Sequence, residues 1–152
     1  MNVRTYKIIH IKKEYQSFVL GREKLLYELL SSEAHHQNEP NELKYVCEGM
    51  NAVEIKEGIQ SRLKRVFTNM KHDHNYIFFE HPLKGSIEME FQPYYLNVSC
   101  EGSKMLDLDL FAGLSDTSDC YMAFQQEQSS YGWLKPIIIG SIHSFSEILD
   151  FV

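Results

Sequence analysis

Hydrophobic and polar positions follow two periods along this chain, and the switches between them mark its elements. Residues 5–11, rich in Tyr and Ile, read as a strand. Residues 12–20 change to helical spacing, with Tyr15, Phe18 and Val19 on one face at i, i+3, i+4. Gly21 breaks that segment and permits a change of direction. Residues 22–32 predict a second helix whose buried stripe is Leu25, Leu26, Leu29 and Leu30. Residues 34–41, a mixture of His, Gln, Asn, Glu and Pro, read as a loop. A further helix starts at Asn41, because Leu43, Val46, Cys47 and Met50 fall at i, i+3, i+4, i+7. Tyr45 then lies about 160° from the centre of that stripe and points to solvent. Residues 53–67 form another amphipathic helix, with Ile55, Ile59, Leu63, Val66 and Phe67 inward.

The middle of the chain reads as a β-meander over 75–80, 86–91 and 94–100. In its second run Ile87, Met89 and Phe91 alternate with Glu88 and Glu90. His81-Pro82 with Gly85, then Gln92-Pro93, supply the turns. Residues 103–114 carry two signals. Leu106-Asp107-Leu108-Asp109-Leu110 alternates like a strand, yet Ser103 is a suitable N-cap and the spacing between flanking strands suits a helical crossover. The crossover decides for a helix. Residues 120–126 are another strand, 129–132 a turn, and an apolar region from Trp133 leads to a short helix at 144–151. The expected fold is α/β in the α+β sense: one domain over residues 1–152, with a sheet of about five mostly antiparallel strands packed with helices.

Composition narrows the function. The chain has 152 residues, 43% of them hydrophobic, enough for one real core. Apolar runs such as 136–140 fall far short of the ~18–20 residues of a membrane helix. Met1-Asn2-Val3-Arg4 leads into charge-interrupted sequence rather than a signal peptide, so a cytoplasmic protein without a membrane partner is expected. Cys47, Cys100 and Cys120 lie far apart with no Cys-x-x-Cys pair, as free thiols in a reducing compartment do. Residues 1–71 hold 12 Lys and Arg against 9 Asp and Glu; residues 72–152 hold 3 against 12. Nucleic acid is a poor partner for so acidic a second half. The basic cluster Lys56, Arg62, Lys64 and Arg65 reads as a solvated helix face.

Candidate chemistry is sparse. His72-Asp73-His74 with His81 could hold a metal, and a small metal-dependent enzyme built there is one alternative. These residues and the His35-His36 pair sit in polar loop-like sequence without a metal-ligand grid, so no metal and no cofactor is expected. No glycine-rich phosphate loop and no Gly-x-Ser-x-Gly elbow occurs. Asp107 and Asp109 are explained by solubility, whether helix or strand. The expected protein is not an enzyme. What remains is surface: Tyr15, Phe18 and Val19 either pack on the sheet or, with Tyr45, form an aromatic patch of the kind that anchors interfaces.

Two stretches also resemble a known family. Ile11-Lys12-Lys13-Glu14-Tyr15, Gly21-Arg22-Glu23 and Leu26-Tyr27-Glu28-Leu29 resemble the start of the sporulation inhibitor of replication family, SirA. Tyr131-Gly132-Trp133-Leu134-Lys135-Pro136 resembles its Tyr-Gly-Trp-Leu-x-Pro signature, with Lys135 where a polar amide is expected. Arg62-Leu63-Lys64, Cys100-Glu101-Gly102 and Cys120-Tyr121-Met122-Ala123 fall between them in order, and residues 140–152 extend past the matched part. The resemblance implies a regulator that binds the N-terminal domain of the initiator DnaA and blocks new rounds of replication during entry into sporulation. It implies a partner surface made by two aromatics four apart on the first helix and by a neighbouring helix. Tyr15 matches the first aromatic and Val19 stands at the second; Glu42 and Tyr45 match the neighbouring helix. The expected partner-binding set is therefore Tyr15, Phe18, Val19, Glu42 and Tyr45, acting by occlusion. A related adapter for a different protein is the other reading.

Overall fold

The computed structural model describes residues 3–32, 41–64 and 67–135. Its strands are β1 (Val3–His10), β2 (Asn69–Asp73), β3 (Tyr76–His81), β4 (Gly85–Phe91), β5 (Leu96–Gly102), β6 (Tyr121–Gln125) and β7 (Ser130–Trp133). The helices are α1 (Gln16–Val19), α2 (Glu23–Ser32), α3 (Asn41–Val46), α4 (Ala52–Leu63) and α5 (Met105–Ser115). All strands join one antiparallel sheet in the order β2-β3-β4-β5-β1-β6-β7. The fold class is the expected one, but the sheet has seven strands rather than five. β2 escaped the alternation because it lies at the sheet's edge with little to bury, and β7 because its Gly132 reads as a turn. The reversal before β7 is instead made around Ser129, whose φ is +51°.

β5 and β6 both pair with β1, so they run parallel to each other and need a crossover. α5 is that crossover, and the Ser103 hydroxyl accepts the Met105 N–H at its start (3.1 Å). The helix reading of 103–114 therefore holds. The preceding helix, α4, is capped by Asn51, whose side-chain oxygen accepts the Glu54 N–H.

The sheet separates two cores. On one face Ile55, Ile59 and Leu63 of α4 and Leu106, Leu110, Phe111 and Leu114 of α5 pack on Tyr6, Ile8, Phe79, Met89 and Val98. Each such side chain contributes about 1.5–3 kcal/mol by leaving water. On the other face Val19, Leu30 and Leu43 pack with Ile9, Ile11, Met122, Phe124 and Trp133. Period-2 alternation makes this second face of β4 and β5 polar, with Glu88, Glu90 and Ser99, while β3 presents Tyr76, Phe78 and Glu80 there; the described helices on this side pack at its β1-β6-β7 end.

Two charged residues overturn the sequence reading. Asp107 is not a solubilising residue: its side chain is 0% exposed. Arg4 Nε and Nη2 donate to its two oxygens at 2.7 and 2.8 Å, and Arg4 also donates to the Gly102 and Ser103 carbonyls. The Tyr6 hydroxyl hydrogen-bonds to Asp107 as well. The Asp107 hydrogen bonds raise the Arg4 pKa, while burial pushes up both the Tyr6 phenol and the Cys100 thiol. Lys56 likewise leaves the solvated face: it is buried, and its ammonium donates to the Asp73 and His74 carbonyls, closing the β2–β3 turn. Arg62 stays exposed in an ion pair with Asp116, and Arg65 lies outside the described residues.

Candidate partner-binding site

The end of β1 gathers the aromatic residues. Beyond His10 the chain bridges to the segment after α3: Lys12 N–H donates to the Val46 carbonyl (2.8 Å) and Glu48 N–H to the His10 carbonyl (2.7 Å). This stitch cuts α3 short at Val46, where the periodicity alone carried the helix on to Met50. Leu43 and Cys47 go to the core, and Tyr45 is left outside, 65% exposed. The outward reading of Tyr45 agrees with its position.

Lys13–Tyr15 form one 3-10 turn before the four residues of α1, rather than one continuous helix. That kink splits the face expected for Tyr15, Phe18 and Val19. Val19 is only 2% exposed and belongs to the core, whereas Phe18 is 56% exposed. Tyr15 lies half-buried between them and meets Tyr45, with ring centroids 5.2 Å apart. The Tyr15 hydroxyl is hydrogen-bonded to Tyr45, which pushes its pKa up to about 12. Glu42 is the second residue of α3, and its side chain lies outside the described residues.

Tyr15, Phe18, Leu26, Tyr45 and Val46 line an open groove of about 540 Å³ with no polar lining. Leu26 and Val46 were assigned inward by periodicity. The leucine stripe of α2 is wider than its contact with the sheet: Leu30 is buried, Leu26 and Leu29 are half-buried, and Leu25 is exposed. Leu26 at the stripe's edge therefore becomes groove wall.

The groove's base is braced from across the fold. Gly21, with φ +88°, turns the chain between α1 and α2, and its N–H donates to Glu23 Oε1 (2.8 Å). The other Glu23 oxygen accepts the Trp133 indole N–H (3.1 Å). Tyr27 on α2 stacks on Tyr131, with centroids 5.3 Å apart. Gly21-Arg22-Glu23 and Tyr131-Gly132-Trp133, the two stretches that carried the resemblance, thus meet and hold α2 on the sheet. Lys135 of the second stretch is exposed and paired with Asp119 at 2.8 Å.

The other sequence candidates stay apart. His72 and Asp73 lie on β2, His74 follows in the turn, and His81 Nδ1 accepts the Leu83 and Lys84 N–H groups. Among the described residues no three His, Cys, Asp or Glu converge as metal ligands. His35-His36 and residues 140–152 lie outside the described residues. All three cysteines are buried, and burial raises the pKa of Cys120 as well as Cys100, which holds these thiols protonated. A cleft of about 690 Å³ is lined by His10, Glu48, Glu54 and Tyr121 among others, and its His10 ring stacks on Tyr121 and bonds Ser118. No described helix is long and apolar enough to cross a membrane.

The family model described as sporulation inhibitor of replication protein SirA matches residues 4–138, which include every groove residue and both bracing stretches. No curated protein matches the chain.

Proposed function

We propose, from the premise that this chain belongs to the SirA family of sporulation inhibitors of replication, that its aromatic groove is the surface that binds DnaA. The family description is that of a sporulation inhibitor of replication, which supports a regulatory rather than a catalytic role. The finer reading is that it binds the N-terminal domain of DnaA in the cytoplasm and covers a surface that initiation requires. One observation carries it. Tyr15 and Tyr45, on separate elements, converge at 5.2 Å over a wholly apolar groove. Such rigid aromatic pairs bury large area at low entropy cost, and an open apolar groove is disfavoured in a protein without a partner.

Phe18 takes the role expected of position 19. Val19 anchors α1 in the core, and its neighbour supplies the second exposed aromatic of that helix. Glu42 would contact the partner from the start of α3.

The test is calorimetric titration of the chain with full-length DnaA and with DnaA lacking its N-terminal domain. Saturable 1:1 binding to the first and none to the second is the expected result. Tyr45→Ala should weaken that binding by at least 1–2 kcal/mol, the loss typical of a genuine anchor. Unchanged affinity in a folded Tyr45→Ala variant would remove the groove from the interface. No binding at all would favour an adapter for another protein.

A further inference from the structure

We infer that Arg22 is a specificity-determining residue at the lip of the groove, and that it selects a partner helix carrying an Asp or Glu beside its apolar anchors. The inference rests on the groove being the DnaA surface. Arg22 lies just after the turn at Gly21, and its guanidinium sits over the Phe18 ring, 4.4 Å from the centroid. Its Nη1 donates to the Phe18 carbonyl at 2.6 Å. Ring and carbonyl hold a side chain that would otherwise sample many rotamers, so little further entropy is lost when it meets an acceptor. A guanidinium carries five donors in a fixed fork, and the Phe18 carbonyl engages one nitrogen.

The surroundings single out this charge. The groove lining has no polar atom to satisfy a partner's charged group. Glu23, the nearest acid in sequence, is already committed to Gly21 and Trp133. The groove's walls come from α1, α2 and α3, a shape that accepts an amphipathic helix whose anchors recur each turn. A carboxylate at the edge of that helix would meet a guanidinium already held against Phe18, one of the groove's walls. A basic or neutral side chain there would meet either repulsion or an unanswered cation, which is how a rim charge discriminates.

The experiment measures association with full-length DnaA at low and high ionic strength for the wild type, Arg22→Ala, Arg22→Lys and Tyr45→Ala. Arg22→Ala should slow association by roughly 3–10-fold at low salt and flatten its salt dependence, because rim charges act mainly on encounter. Arg22→Lys should restore the salt dependence but only part of the affinity, since an ammonium lacks the stacked fork. Full wild-type rates in Arg22→Ala, beside loss of binding in Tyr45→Ala, would overturn the inference and leave the groove reading intact. Undiminished binding in Tyr45→Ala would overturn the groove reading itself, and the inference with it.

Discussion

Asp107→Ala should destabilise the fold by about 3–5 kcal/mol, seen in chemical denaturation as a lower midpoint with an unchanged slope. Thermal unfolding should fall by roughly 10 °C for a domain of this size. The cause is not the lost attraction but what remains. Arg4, 4% exposed, would keep its charge in the core without the Asp107 carboxylate that accepts two of its hydrogen bonds. The Tyr6 hydroxyl would lose its Asp107 partner at the same stroke. Replacing both ends by apolar residues, Arg4→Met with Asp107→Leu, should recover most of the loss, because neither charge then has to be desolvated. A single Asp107→Ala variant within 1 kcal/mol of wild type would show that water reaches this site.

The second large effect falls on Trp133. Trp133→Ala should cost about 3–5 kcal/mol, since a fully buried indole is removed from the core under α2. Trp133→Phe should cost less and be more informative. It keeps most of the apolar contact but leaves Glu23 Oε2 without its donor, so α2 is held by packing alone. The expected outcome is a loss of roughly 1–2 kcal/mol in stability, together with weaker DnaA binding, because Gly21 and Arg22 are positioned through the same Glu23. Circular dichroism follows both variants; in the wild type, Trp133 is the one tryptophan and reports unfolding by its own fluorescence. Trp133→Phe with unaltered stability and unaltered binding would dismiss the brace.

What the sequence could convey depended on the range of the interaction. Tyr45 was legible because its exposure follows from three residues within one turn either side, Leu43, Val46 and Cys47. The helix at 103–114 was legible from its cap and from the crossover geometry, against its own alternating pattern. Asp107 was not, because the partner that makes it a core residue stands 103 positions earlier in the chain. Lys56 fails for the same reason, its acceptors being carbonyls of a distant turn. The split between a buried Val19 and an exposed Phe18 was hidden by a local cause: a 3-10 turn at Lys13–Tyr15 shifts the phase of everything after it by part of a residue, which periodicity cannot register. Within the candidate site the individual aromatics could be read from sequence. Their convergence could not, since it depends on one backbone stitch between Lys12 and Val46.

β1 and β6 belong to both cores at once: β1 sends Tyr6 and Ile8 to one and Ile9 to the other, and β6 sends Tyr121 and Ala123 to the first and Met122 and Phe124 to the second. The molecule can therefore open in two cooperative units joined at these two neighbouring strands, each with its own free energy of exposure. A partner seated on the groove would slow backbone amide exchange through α1, α2 and α3 and leave the amides of α4 and α5 at their unbound rates. Binding and global stability would then be tuned by largely separate sets of residues, with β1 and β6 the strands on which a substitution affects both.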